Sequence, residues 1–182
     1  MIRTSQHILK FSNRSKLQQL DRLFIDYQYD LKLYIDLILS EQLSLKLNLS
    51  SKLLSFGKIK HSQWKQIIYK NASEIVRSNI KKISNRRYSR YKKIYSYFKK
   101  QNKQLKFLSK RFSELNLKSI LKEIKIDIKN VSITADNRVL STSNDSKFFN
   151  EFIGLKLPYF YEDKHRAIQI NLPIKYHKQS LK

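Results

Sequence analysis

Residues 148–178, FFNEFIGLKLPYFYEDKHRAIQINLPIKYHK, hold both prolines of the chain and its clearest two-residue periodicity. Ile153, Leu155 and Leu157 alternate with polar or small residues, and Ile168, Ile170, Leu172 and Ile174 do so again. Successive side chains of a strand point to opposite faces, so this pattern predicts two half-buried strands. Tyr161, Glu162, Asp163, Lys164 and His165 lie between them as the polar loop of an antiparallel hairpin. Pro158 and Pro173 lack an amide donor and are expected at strand ends, edges or bulges. The polar side carries Lys156, Arg166, Lys175, His177 and Lys178, leaving one face apolar and the other cationic.

Composition sets the frame around this hairpin. A chain of 182 residues holds one ordinary domain, or a small barrel with a helical insertion. Glycine and proline are scarce while Lys, Ile, Asn, Tyr and Ser abound, which suggests an AT-rich coding genome. Codon bias does not explain the charge, because acidic codons also lean towards A and T, yet 38 Lys and Arg face 14 Asp and Glu. A net charge of +24 implies a polyanionic partner. With 41% hydrophobic residues the chain can still bury a core.

Cysteine is absent, which excludes disulfides, thiolate zinc sites and cysteine nucleophiles. No apolar run reaches the roughly 18 residues a membrane-spanning helix needs, so no membrane partner is expected. The first 20 residues contain no acid, and an organelle presequence is one reading of them.

Going back to the start, Ile2 to Phe11 reads as a short strand, followed by turn and cap residues at Ser12 to Ser15. Leu20, Phe24, Tyr27, Leu31, Tyr34 and Ile38 then recur every three or four positions, which predicts a helix of about 24 residues. Asp26 and Asp30 on it should repel each other mildly. Leu43 to Leu49 leaves strand, loop and helix open, and Gly57 reads as a connector. A second helical stripe runs through Trp64, Ile67, Ile68, Ile75, Val76, Ile80 and Ile83. It continues through Tyr91, Ile94 and Phe98, with Arg87 at the missing apolar position, and on to Leu105, Leu108 and Phe112. Residues 117–129 read as a short helix running into a strand. Val131 to Thr134 follows as strand, Ala135 to Arg138 as turn, Val139-Leu140 as the return, and Ser141 to Ser146 as a polar loop.

Between Glu74 and Glu114 there is no acidic residue, although Arg77, Lys81, Lys82, Arg86, Arg87 and Arg90 fall inside with further lysines. Opposite charges three or four positions apart stabilise a helix and like charges do not, so a helical face of one sign favours an external polyanion. A solvated face enriched in lysine by codon usage is the plainer alternative. Tyr88, Tyr95 and Tyr97 lie off the packing stripe, where they either stack on unpaired bases or pad a second packing face.

Four blocks resemble, in order, the TnpB (OrfB) family of insertion-sequence proteins, RNA-guided DNA nucleases related to type V CRISPR effectors. They are the opening strand with Leu20 to Tyr27 and Tyr34-Ile35-Asp36; Gln66, Lys70, Ala72, Ile75 to Ser78 and Lys81-Lys82; Val131 to Arg138; and Phe152 to Phe160 with Ile168 to Lys178. The resemblance implies an α+β fold in which an oligonucleotide-binding-like antiparallel β-barrel, the wedge, is interrupted after its first strand by a helical recognition lobe. Residues 1–13 would be the first wedge strand, 14–129 the lobe, and 130–182 the remainder of the barrel. In the family a RuvC-like nuclease follows, and this chain is expected to stop before it.

The expected function is therefore nucleic-acid binding without catalysis: gripping guide-type RNA and a target-adjacent DNA duplex, with a separately encoded nuclease half as a further partner. The chain is expected to be a monomer, in a bacterial cytoplasm or an AT-rich organelle. Phosphate contacts are expected from Arg77, Lys81, Lys82, Arg86, Arg87 and Arg90 on the helix, and from Lys156, Lys175 and Lys178 on the barrel. No cofactor, metal ligand or catalytic residue is expected, since the four histidines lack ligand spacing and Asp21, Asp26, Asp30 and Asp36 run along one helix. Two rival readings are an organellar ribosomal RNA-binding structural protein and a domesticated, nuclease-dead regulator that binds RNA or DNA.

Overall fold

The computed structural model describes residues 12–40, 56–100, 117–128, 131–143, 148–149, 151–161 and 164–174. These form helices α1 (Arg14–Leu39), α2 (Ser62–Lys100) and α3 (Leu117–Glu123), and strands β1 (Leu140–Ser143), β2 (Glu151–Tyr161) and β3 (Lys164–Ile174). The class is α+β, with one three-stranded antiparallel sheet in the order β1-β2-β3. The expected strand at Ile2 to Phe11, the leucines at 43–49, the stripe at Leu105 to Phe112, and Lys175 and Lys178 lie outside the described residues.

The chain divides into two units, and both α1 and α2 contribute to each. The first comprises residues 1–30, 49–68 and 132–182. Its sheet rests on the hairpin read from the sequence: Leu155 pairs with Ile170 and Ile153 with Leu172, so the alternating apolar residues share one face. Leu155, Leu157, Ile170, Leu172 and Ile174 are buried with Leu23, Tyr27, Ile59, Trp64, Ile67, Ile68 and Val139. The register shifts between Lys156 and Phe160, bracketing Pro158 as a residue without an amide requires, while Pro173 stands opposite Phe152 near the end of β3.

Around β1 the sequence expectation needs correcting. Val131 to Thr134 forms no strand, and Ser141 to Ser143, expected as loop, pairs with Gly154 to Phe152. The Thr134 amide donates instead to the Tyr27 hydroxyl at 3.4 Å, and the two hydroxyls lie 2.9 Å apart, so this stretch is bonded to α1. β1 carries Ser and Thr on an exposed segment, where hydropathy has no alternation to show.

At the start of α1, Asn13 accepts the Lys16 amide through its side chain at 3.0 Å, the expected cap. The buried stripe of this helix is rotated from the expected one. Leu23 is 1% exposed whereas Phe24 is 46% exposed, and Asp30 is fully buried in the stripe that also holds Tyr27. Its carboxylate accepts the Lys58 and Ile59 amides at 2.7 and 2.9 Å. Gly57 makes that turn with φ +88, and a Cβ there would lie 2.6 Å from the carboxylate, so both conformation and space require glycine.

The second unit comprises residues 31–48 and 69–131. Leu31, Tyr34, Ile35 and Ile38 of α1, Tyr69, Ala72 and Val76 of α2, and Ile120, Leu121 and Ile124 form its core. Tyr34 and Tyr69 meet edge to face with ring centres 6.2 Å apart, a geometry that suits their quadrupoles.

Candidate nucleic-acid interface

A helix turns about 100° per residue, so the cations of α2 can be placed by their spacing. Burial of Tyr69, Ala72 and Val76 fixes the packed side. Arg77 and Lys81 lie on the opposite, exposed side, followed at the same angle by Tyr88 and Lys92. Lys82, Arg86 and Lys93 form an adjoining exposed row, and Arg90 stands exposed beyond it. Five of the six cations expected on this helix are thus presented to solvent.

Arg87 is the exception. At the position where the stripe lacks an apolar residue it turns towards α3, donating to the Ser119 hydroxyl at 3.0 Å and to the Glu123 carboxylate. Its side chain is only 17% exposed. Arg86 pairs with the other oxygen of the same carboxylate while remaining 62% exposed. The sequence of α2 has no acid after Glu74 and gives no sign that Glu123 arrives from a separate helix. That placement follows from Ile120, Leu121 and Ile124 packing α3 into the core.

In the first unit, Lys156 is half-buried on the sheet face opposite the apolar one. The same face carries Ser141, Gly154, Gln169 and Asn171. The Ser141 hydroxyl, the Gln169 amide and the Asn171 side-chain oxygen crowd over Gly154, where an added Cβ would meet the first of them at 2.4 Å. Among the residues whose side chains are described, Lys156 is the cation on this face; Lys175, His177 and Lys178 lie outside the described residues. Burial and the Lys156 charge together lower the pKa of His61, whose ring stacks on Phe160 at 6.0 Å.

Several acidic groups of the first unit have structural partners. Asp26 accepts from the Tyr159 hydroxyl at 2.7 Å, and burial together with that bond raises the phenol pKa. The Arg22 guanidinium lies over the Tyr159 ring at 4.3 Å. Burial raises the Asp30 pKa against the opposing effect of its two amide bonds and of Lys65, with Asp26 adding to the rise. Lys65, 1% exposed, is lowered by burial and by Lys60. Asp136 holds Arg138 through its guanidinium, the closest contact being 2.7 Å, and Arg138 also donates to the Gln66 side chain at 2.6 Å. Among the described residues, no three of His, Asp and Glu gather closely enough to hold a metal ion, and no helix is long and apolar enough to cross a membrane.

No family model, curated protein or solved structure matches this chain.

Proposed function

We propose that this protein binds nucleic acid without cleaving it, through the cationic surface of α2, in the manner of the recognition lobe and wedge of a TnpB-like protein. The observation that carries this reading is the exposed surface of α2, where Arg77, Lys81 and Lys92 form one row, Lys82 and Lys93 an adjoining one, and the sequence has no acid between Glu74 and Glu114. Self-repulsion along such a surface costs stability that a phosphate backbone restores, and displaced counterions add affinity. Structured RNA of the guide type is the proposed ligand, with target-adjacent DNA as a second.

The finer architecture belongs to the same proposal. The three-stranded sheet would form part of an oligonucleotide-binding-like barrel, with residues 2–11 supplying a further strand.

The test is a titration of the full chain with structured RNA across a range of salt. The logarithm of affinity should fall linearly with the logarithm of salt, and reversing Arg77, Lys81 and Lys82 to Glu should make the slope shallower. Affinity insensitive to salt, or a triple variant that binds as well as the parent, would overturn the proposal.

A further inference from the structure

Tyr88 stands on the exposed side of α2 with 50% of its surface open to solvent. Among the residues whose side chains are described, its neighbours on that side are ionic or polar: Arg77 and Lys81 towards the N-terminus, Ser84 and Asn85 one turn away, and Lys92 towards the C-terminus. The spacing from 77 to 81, 88 and 92 keeps these four residues within an arc of roughly 60°, along about 22 Å of helix. Glu74 lies in the same arc one turn before Arg77 and bounds the cationic stretch. Lys92 places its ammonium 5.0 Å from the Tyr88 ring centre. Among the residues whose side chains are described, no aromatic ring or second cation covers the other ring face.

We propose that Tyr88 is a stacking platform for an unpaired base and that this ridge prefers single-stranded nucleic acid to duplex. The inference rests on the nucleic-acid reading above and specifies its ligand. In a duplex the base faces are covered by their neighbours, so a tyrosine on the helix surface gains nothing from them. A single strand can turn a base onto the open ring face while Arg77, Lys81 and Lys92 hold phosphates on either side. Stacking of one base on an aromatic ring contributes about 1–3 kcal/mol, roughly a 5- to 150-fold change in affinity. Duplex binding through the same cations lacks this contribution.

The experiment compares the full-length parent, Tyr88→Leu and Tyr88→Phe. Leucine keeps helix propensity at an exposed site and phenylalanine keeps the ring. Each is titrated with an oligouridine of about 12 nucleotides, within the range of known single-strand sites, and with an RNA duplex of equal phosphate count. Tyr88→Leu should weaken single-strand binding at least about 5-fold and leave duplex binding unchanged, while Tyr88→Phe matches the parent. A 2-aminopurine in the strand should be quenched by the parent and not by Tyr88→Leu. Equal loss on strand and duplex, or no loss on either, overturns the stacking role while leaving the polyanion reading intact. Failure of the parent to bind either ligand overturns both.

Discussion

The indole nitrogen of Trp64 donates to the backbone carbonyl of Lys156 at 2.8 Å, joining the first turn of α2 to the middle of β2. Trp64 is fully buried and meets Tyr27 edge to face at 6.3 Å, and Tyr27 bonds Thr134 in turn. Trp64→Phe retains an aromatic ring but leaves the carbonyl without this donor, and should destabilise the protein by about 1–3 kcal/mol. Trp64→Ala should cost about 3–5 kcal/mol through the cavity left behind. Urea unfolding followed by circular dichroism measures both, since the variants lack the only tryptophan. Equal stability of Trp64→Phe and the parent would remove the hydrogen bond from the account.

Asp30 and His61 give the stability curve two opposing slopes. The Asp30 pKa is raised in the folded chain above its ordinary 3.8, so its contribution is largest below that pH and declines as pH rises through the folded value. The His61 pKa is lowered below 6.5, so its contribution is complete above 6.5 and is lost as pH falls towards the folded value. His61→Phe should flatten the acid side of the curve. Asp30→Asn should abolish the other slope and lower neutral-pH stability by about 1–3 kcal/mol, because the two amides donate to different carboxylate oxygens and asparagine sets an NH2 donor against one of them. Unfolding midpoints across a pH series test both, and unchanged slopes would rule out these assignments.

Glu123 occupies two arginines that otherwise belong to the cationic surface. Glu123→Gln should therefore tighten RNA binding and steepen its salt dependence by about one phosphate contact, roughly 0.7–0.9 in the log–log slope. The ion pairs are partly exposed, so the loss of folding stability should stay within about 1 kcal/mol. Reduced affinity in a folded Glu123→Gln protein would mean that the carboxylate orders the arginines for binding rather than competing with the ligand.

Gly154 tests the polar face of the sheet. Gly154→Ala puts a methyl group 2.4 Å from the Ser141 hydroxyl and 2.8 Å from the Gln169 amide nitrogen, so one or both must move. A cost of about 1–3 kcal/mol is expected, as for overpacking at a filled site. Adding Ser141→Ala should recover much of it, since residues in contact do not act additively. A double variant no more stable than the single one would show that the strain arises elsewhere.

The hairpin and the first long helix were legible because their apolar residues repeat at periods that only strands and helices produce. Several details were hidden. Asp30 falls on the apolar stripe three positions after Tyr27, but an acid there reads as an exception until the Lys58 and Ile59 amides are seen beneath it. Phe24 and Leu23 exchange roles because adjacent apolar residues leave the rotation of a helix undetermined by about 100°. β1 escaped notice because backbone pairing, not side-chain burial, makes it a strand. On α2 the charge imbalance marked the exposed side, and the vacancy filled by Arg87 was already visible in the stripe. Its partner Glu123, 36 positions away, was not.

The turn at Gly57 obtains its acceptor from a helix 28 residues earlier in the chain. An isolated peptide spanning 50–70 would retain the glycine but lack the carboxylate that closes the loop. The turn should therefore consolidate only after α1 has formed and approached, making it a late event on the folding pathway rather than a local nucleus.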